Sequence, residues 1–313
     1  MTHDASLSNH GPQWVAAAEA VAAGIRRRVL EYTLRNNGGY LSQACSSAEL
    51  LSCLYCKAMK LGPPAAPPVP APFPGVPGPN NPAAFTGAGY NGPRSPDLDR
   101  FFFSPVHYAL VLYAALIETG RMAPEGLDQF NVDGSTVELI GAEHSPGHEV
   151  TAGSLAQCVS QAAGVALARK LRGERGKTWV FMSDGEFQEG QTWEAMNVAA
   201  YHKLGNLRVV VDANAQQCDG AMSDVGTIEP LGQRLESFGV AVREVPGHDL
   251  QALENALAAN SGERPLVVVG RTDPCRGISL LESRRPKLHY VRFKSKDEML
   301  SYQNLLDQWR SQP

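Results

Sequence analysis

The sequence has few charged residues, no long apolar run, no block of like charge and no closely spaced set of cysteines. Charged residues make up 19% and apolar residues 43% of its 313 residues, whereas roughly 25% of residues are charged in an average soluble domain. This modest deficit predicts a surface that another chain covers. No apolar run reaches the about 18 residues of a membrane span, so we expect no membrane contact. The net charge is −4, and the sequence contains no cluster of like charges, so nucleic acid is disfavoured as a partner.

The N-terminus and the cysteines predict a cytoplasmic protein. The first 14 residues are polar and lack the apolar core of a secretory signal. The six cysteines are scattered and do not form a disulfide framework. Cys53 and Cys56 have CxxC spacing inside a helical run, without a second CxxC or a following His pair. We interpret them as a buried, reduced pair, with zinc or redox chemistry as the alternative.

Helical periodicity and proline content define the organisation of the chain. Apolar residues recur at helical spacing from Val15 to Asn36, and a second helix is predicted to start at Ser46 or Ser47. Twelve of the 22 prolines fall between residues 62 and 96, which predicts an extended surface loop. We therefore predict one domain at 15–300 that contains this loop, with tails at 1–14 and 301–313.

Beyond the loop, predicted helices alternate with short, continuously apolar strands. Such strands are typical of a parallel sheet covered on both faces, so we predict a doubly wound, mostly parallel α/β domain. The predicted strands are Thr178–Met182, Leu207–Val211, Val240–Val245 and Pro265–Gly270. The predicted helices of this region are Tyr108–Thr119, Ser154–Leu171, Trp193–Lys203, Pro230–Phe238 and Leu250–Ala259.

Polar residues follow two of these strands, at the sheet edge where parallel sheets bind ligands. Asp184 and Gly185 follow the first strand, and Asn214 follows the second. Carboxylate and amide oxygens suit Mg²⁺ or Ca²⁺, which also bind phosphate oxygens. A glycine lets the backbone approach a phosphate closely, and the start of a helix favours an anion. The pattern predicts a metal and diphosphate site; the alternative is that Asp184 and Asn214 only cap helices.

The same residues carry a family resemblance. The interval from Asp184 to Asn214 resembles the thiamine diphosphate motif, and residues 184–195 (DGEFQEGQTWEA) are similar to the amino-terminal, diphosphate-binding half of transketolases. Residues 99–107 (DRFFFSPVH), 151–157 (TAGSLAQ) and 247–249 (GHD) resemble further segments of that family in the same order. The resemblance implies thiamine diphosphate and Mg²⁺ (or Ca²⁺) as cofactors.

Residue by residue, the resemblance implies which groups bind the metal ion and which group binds the diphosphate. Asp184, Asn214 and the main-chain carbonyl of Gln216 would coordinate the metal ion. The Gly185 N–H group would bind the diphosphate.

Further residues would complete the cofactor site by the same resemblance. His107 and His289 would act as side-chain donors to the diphosphate and as catalytic residues. Gly153 and Leu155 would touch the aminopyrimidine. Cys218 occupies an apolar position that would help to hold the cofactor bent.

Four further positions correspond to family residues that lie between the paired active sites or in the substrate site. Glu189 and Glu194 match acidic residues that link paired active sites across the family's dimer, and Glu189 is also expected to contact the cofactor and to take part in catalysis. Tyr40 or a neighbour stands where the family has an active-site histidine, and tyrosine is a poorer acid–base group near neutral pH. His144 is a candidate replacement for a second family histidine.

The resemblance is to one half of a full transketolase. The other half would hold the pyrimidine domain, with the glutamate that protonates the aminopyrimidine. We therefore expect a pyrimidine-domain partner subunit and a heterotetramer with two copies of each chain. The implied activity is transfer of a two-carbon ketol unit, through a thiamine diphosphate carbanion, from a ketose or 2-oxoacid donor to an aldehyde acceptor. The alternatives are a 2-oxoacid dehydrogenase E1-like subunit that passes an acyl unit to a carrier protein, and a non-catalytic regulatory subunit.

Overall fold

Five parallel strands form the central sheet of the protein. The structure, a computed structural model, describes residues 11–76, 78–81 and 87–311. The strand order is β1-β2-β3-β7-β6, and a separate hairpin pairs β4 with β5. The strands are β1 (Arg100–Phe103), β2 (Thr178–Ser183), β3 (Leu207–Ala213), β4 (Gln216–Gln217), β5 (Gly220–Ala221), β6 (Ala241–Pro246) and β7 (Leu266–Arg271).

Helices cover both faces of this sheet. The helices are α1 (Gly11–Arg35), α2 (Leu41–Cys53), α3 (Ala109–Glu118), α4 (Gln157–Leu171), α5 (Gly190–Tyr201), α6 (Met222–Val225), α7 (Leu231–Ser237), α8 (Leu250–Leu257) and α9 (Lys296–Ser311). One core joins the sheet to α1, α2, α3 and α8, and a second core joins it to α4, α5 and α7. The predicted α/β class, with a parallel sheet between two helical layers, is confirmed. Among the described residues, no helix is both long and apolar enough to cross a membrane.

The two cores explain why the predicted strands are mostly apolar on both faces. In β2, Trp179 and Phe181 belong to the first core, while Val180 and Met182 belong to the second. Successive side chains of a strand point to opposite faces, and here both faces are buried. The four predicted strands therefore begin and end within two residues of the observed ones.

The structure corrects the predicted ends of the domain. Helix α1 already begins at Gly11, so residues 11–14 are not a tail; residues 1–10 lie outside the described residues. The predicted C-terminal tail is also wrong as far as residue 311, because these residues belong to α9. Tyr302 and Leu306 of α9 are buried in the first core, one turn apart on the same helix face.

Two further elements differ from the sequence predictions. Helix α2 begins at Leu41, earlier than the predicted Ser46 or Ser47, because Leu41 is already buried in the first core. Strand β1, which the sequence analysis did not predict, pairs in parallel with β2 at the edge of the sheet.

The proline-rich segment and the CxxC pair can be located. Within the described part of 62–96, the only helix is a short 3-10 turn at Gly87–Asn91. Cys53 is buried at the end of α2, and Cys56 is half-buried in the π-helical turn that follows; both are free thiols. Burial raises the pKa of the Cys53 thiol to about 12 and that of Cys56 to about 11.

His148 is expected to make the stability of the fold depend on pH. This ring is fully buried, with Nδ1 3.2 Å from the Pro146 carbonyl, and burial lowers its pKa to about 4. The unfolded chain takes up the proton near pH 6.5, so stability falls as the pH drops from about 6.5 towards 4. Between pH 7 and 5 this group should cost about 2 kcal/mol of unfolding free energy.

Urea unfolding at pH 7 and pH 5 checks this expectation. The loss of stability between the two pH values should be smaller by about 2 kcal/mol in His148→Gln than in the wild type. His202→Gln is the matched control, because His202 is exposed. An equal pH dependence in all three proteins would show that His148 does not contribute.

Candidate active site

A cavity of about 240 Å³ lies at the carboxyl ends of β2 and β3. The register places Ser183, the last residue of β2, opposite Asp212 of β3, so the segments after both strands leave the sheet side by side. Eight of the predicted site residues line this cavity: His107, Gly153, Leu155, Asp184, Gly185, Gln216, Cys218 and His289.

The predicted metal ligands meet at the turn after β3. The Asp184 carboxylate is 3% exposed and accepts a 2.7 Å hydrogen bond from the Ala215 N–H. Asn214, 6% exposed, lies just behind the cavity wall, and its Oδ1 accepts a 2.9 Å bond from the Gln216 N–H. Burial, and to a smaller extent the Asp212 carboxylate, raises the pKa of Asp184 to about 8. A divalent cation would offset this cost, so the hard oxygen donors present fit Mg²⁺.

Asp212 holds Asn214 in place, and the sequence analysis missed this role. Its buried carboxylate accepts hydrogen bonds of 2.6 Å from Ser46 Oγ and 2.6 Å from Thr272 Oγ1. The Asn214 Nδ2 group donates to the same carboxylate at 3.2 Å and to the Tyr108 hydroxyl at 3.3 Å. The amide nitrogen is thus directed towards Asp212. The available signal was an aspartate near the end of a mostly apolar strand.

The cavity also has the polar atoms and the open space that a ligand requires. A Cβ atom added at Gly153 or Gly185 would meet no other atom within 4 Å. Gln216 and Gln217 line the cavity, and their Oε1 and Nε2 atoms, respectively, are buried without a hydrogen-bond partner. Because buried polar atoms are costly when unpaired, this wall is suited to a polar ligand such as thiamine diphosphate. Neither glutamine side chain was predicted.

Three aromatic rings cluster at one end of the cavity. The Tyr40 ring lies 5.2 Å from the His107 ring and 5.5 Å from the His289 ring, and the two histidine rings are 5.2 Å apart. Burial, with a smaller effect of His289, lowers the pKa of His107 to about 3, and burial also lowers the pKa of His289. Burial raises the pKa of Tyr40. Near neutral pH all three rings are therefore uncharged and able to donate a hydrogen bond.

Three predicted residues lie away from the cavity. The His144 Nε2 atom lies 3.0 Å from a Glu138 oxygen, and its ring packs 4.5 Å from that of Phe73. It does not line the cavity, so its expected part in the site has no support. Glu189 and Glu194 are exposed near the start of α5.

Comparison with known proteins identifies the family. The family model described as the transketolase, thiamine diphosphate binding domain matches residues 86–281. A protein of Sinorhizobium fredii named as an uncharacterized transketolase family protein is 33% identical over 280 residues, which cover 88% of this chain and 90% of that protein. The chain belongs to the transketolase family. The family model agrees with the thiamine diphosphate prediction.

Solved structures of transketolases have the same fold. The transketolase of Campylobacter jejuni superposes with a TM-score of 0.72 at 21% identity, over 94% of this chain and 48% of that one. The transketolase of Leishmania mexicana gives a TM-score of 0.66 at 23% identity, over 94% and 45%. This transketolase-family chain thus spans about half the length of those proteins.

Proposed function

We propose that this chain is the N-terminal subunit of a split transketolase, which transfers a two-carbon ketol unit from a ketose donor to an aldehyde acceptor. Two relatives named as transketolase subunits support the proposal. An apulose-4-phosphate transketolase subunit of Actinobacillus succinogenes is 28% identical over 293 residues, which cover 93% of this chain and 96% of that protein. The 6-deoxy-6-sulfo-D-fructose transketolase subunit of a Clostridium species is 28% identical over 263 residues, which cover 83% and 86%.

One observation carries the proposal: a single cavity joins oxygen donors for a metal ion with two uncharged histidines. Asp184, Asn214 and the main-chain carbonyl of Gln216 would hold Mg²⁺. The Asp212 carboxylate would keep the Asn214 side chain in position by accepting a hydrogen bond from its Nδ2 group. The Gly185 N–H group and the two histidine rings would donate to the diphosphate. Uncharged histidines suit this role, because a neutral imidazole still carries one N–H donor.

The remaining residues would shape the reaction space. Gly153 and Leu155 would contact the aminopyrimidine, and Cys218, which lines the same cavity, would support the bent cofactor. When bound, thiamine diphosphate supplies a nucleophilic carbon and an electron sink. The protonated Tyr40 hydroxyl would orient a substrate oxygen and would not accept a proton near neutral pH, because burial raises its pKa. The half-buried aromatic cluster would limit the access of water to the reacting atoms.

The proposed partner is a pyrimidine-domain subunit, in a heterotetramer with two copies of each chain. Glu189 and Glu194 would lie at the contact between the paired sites. Both carboxylates are exposed in the single chain, together with Val198 (49% exposed) and Tyr201 (81% exposed) on the same helix. Exposed apolar side chains on the helix that carries Glu194 support a surface that another chain covers.

A donor screen tests the proposed function. The chain is purified with the proposed pyrimidine-domain partner, thiamine diphosphate and Mg²⁺ are added, and ketose and 2-oxoacid donors are offered with aldehyde acceptors. We expect mass spectrometry to find an acceptor lengthened by two carbons and, for ketoses, a donor shortened by two. If the complex with bound cofactor lengthens no acceptor, the proposal is wrong.

A further inference from the structure

Behind the cofactor cavity lies a buried glutamate that the proposed function does not use. Glu186 is fully buried and does not line the cavity. Its carboxylate accepts hydrogen bonds from three separate segments of the chain, and each segment also supplies residues that do line the cavity. These segments are 104–108, 153–156 and 183–185.

One oxygen of this carboxylate holds the turn to which Glu186 itself belongs. Glu186 Oε2 accepts the Ser183 N–H at 2.8 Å and the Ser183 hydroxyl at 3.2 Å. The Ser183 side chain accepts from the backbone of Glu186 in return, so residues 183–186 (SDGE) form a capping box. Asp184 and Gly185, the proposed metal and diphosphate residues, lie between the two members of this box. The contact therefore fixes the diphosphate side of the cavity.

The other oxygen reaches beyond the turn, which a capping box does not require. Glu186 Oε1 accepts the Ala156 N–H at 3.1 Å and a hydrogen bond from the Ser104 hydroxyl. Ala156 directly follows Leu155, and Ser104 precedes His107 by three residues. These bonds join the diphosphate side of the cavity to its aminopyrimidine side and to the segment that carries His107.

The Ala156 contact holds the backbone in a conformation that alanine disfavours. Ala156 has a φ of 67° and a ψ of −7°, in the left-handed region, at the residue before α4. A residue other than glycine is destabilised there, because its Cβ crowds the following carbonyl. The Ala156 side chain cannot cap α4, so the hydrogen bond to Glu186 stabilises this turn from outside. The position of Gly153 and Leu155 thus depends on a carboxylate 30 residues further along the chain.

We propose that Glu186 is a positioning residue that sets the distance between the two sides of the cofactor cavity. The assignment of these sides to the diphosphate and the aminopyrimidine rests on the proposed function. A carboxylate suits this role because it accepts two backbone N–H groups at once, one with each oxygen. An amide has only one accepting oxygen, and an aspartate is shorter by one methylene group, so neither can make both bonds.

Two ligands measure the two sides of the cavity separately. The complex with its partner is titrated calorimetrically with thiamine diphosphate or with inorganic pyrophosphate, each in the presence of Mg²⁺. In Glu186→Gln the amide oxygen should keep the Ser183 N–H of its own turn, because the Ser104 hydroxyl on the other side can rotate to accept from the amide nitrogen. The Ala156 N–H then loses its acceptor. We expect the affinity for thiamine diphosphate to fall at least about tenfold and that for pyrophosphate to stay within about twofold of the wild type.

Further variants separate reach from charge and from general loss of stability. Glu186→Asp keeps the charge but not the reach, so it should also bind thiamine diphosphate at least about tenfold more weakly. Adding Ala156→Gly to Glu186→Gln should restore at least about threefold of the affinity, because glycine adopts the left-handed conformation without the carboxylate. The matched control is Glu298→Gln, in the similarly spaced residues 295–298 (SKDE). Glu298 accepts the Lys294 N–H at 2.7 Å and does not line the cofactor cavity, so this variant should bind both ligands within about twofold of the wild type.

Urea unfolding shows which variant chains fold. If Glu186→Gln does not, Ser104→Ala tests the same contact, since it removes one donor to Oε1 and leaves the carboxylate in place. This variant should bind thiamine diphosphate about threefold more weakly and pyrophosphate as the wild type does.

The outcomes tell the positioning role from the proposed function. Equal losses for the two ligands in Glu186→Gln, or wild-type affinity for both, would overturn the proposal, and so would wild-type affinity for thiamine diphosphate in Ser104→Ala. A complex that binds thiamine diphosphate in a way that depends on Glu186, and yet lengthens no acceptor, would support the positioning role while refuting the proposed function.

Discussion

Replacing Asp184 with asparagine is expected to weaken the binding of thiamine diphosphate with Mg²⁺ by at least about 100-fold. The amide keeps the shape of the carboxylate and an oxygen that can accept the Ala215 N–H, which the wild-type side chain binds at 2.7 Å. It removes the negative charge that a buried cation requires as a partner. The loss therefore arises from charge at the metal and not from a changed turn.

Titration calorimetry measures the loss of cofactor binding, and urea unfolding checks that the variant chain still folds. Without cofactor, the variant chain should unfold at or above the wild-type urea concentration, because the amide removes a buried charge that no cation then offsets. Asp224→Asn is the matched control, since this aspartate is exposed on α6 and does not line the cavity. If the Asp184 variant binds the cofactor with wild-type affinity, Asp184 is not a metal ligand.

The chain without its partner is expected to turn over donors at least about 1,000-fold more slowly than the assembled complex. In the described part of the chain, Asp184 is the only carboxylate that lines the cofactor cavity, and the proposal assigns it to the metal. Among the described residues, no second carboxylic acid then lines this cavity to protonate the aminopyrimidine. Loss of a general acid typically costs about 10²–10⁴-fold, and the partner would also supply half of the binding surface.

Light scattering and a donor-cleavage assay, with and without the pyrimidine-domain chain, measure this dependence. Serum albumin at the same concentration replaces the partner in the control. We expect a complex with two copies of each chain and activity only in that complex. Full turnover by the isolated chain would refute the split-enzyme proposal, and a complex with Glu189 exposed to solvent would refute its role at the interface.

Short apolar sequence patterns predicted the strands whose residues are buried along their whole length. The strands from Thr178 and from Leu207 were found because both faces of the sheet are covered, so every residue in them is buried and most are apolar. Helix α9 and strand β1 were missed for the opposite reason. Tyr302 and Leu306 form a short apolar stripe in a polar helix, and β1 is a four-residue edge strand. Such weak local signals become elements only through packing against residues far away in the chain.

The sequence by itself determined the parallel α/β class, the family, and the residues next to the diphosphate motif, because these depend on short segments such as Asp184–Gln188. Only the tertiary structure decided what surrounds them. Asp212 is held by Ser46 and Thr272, which lie 166 and 60 residues away in the chain. The contact of Tyr40 with Tyr290 joins the two ends of the chain in the same way. Hydrogen bonds and ring contacts over such separations exist only once the sheet is assembled, and so no spacing in the sequence records them.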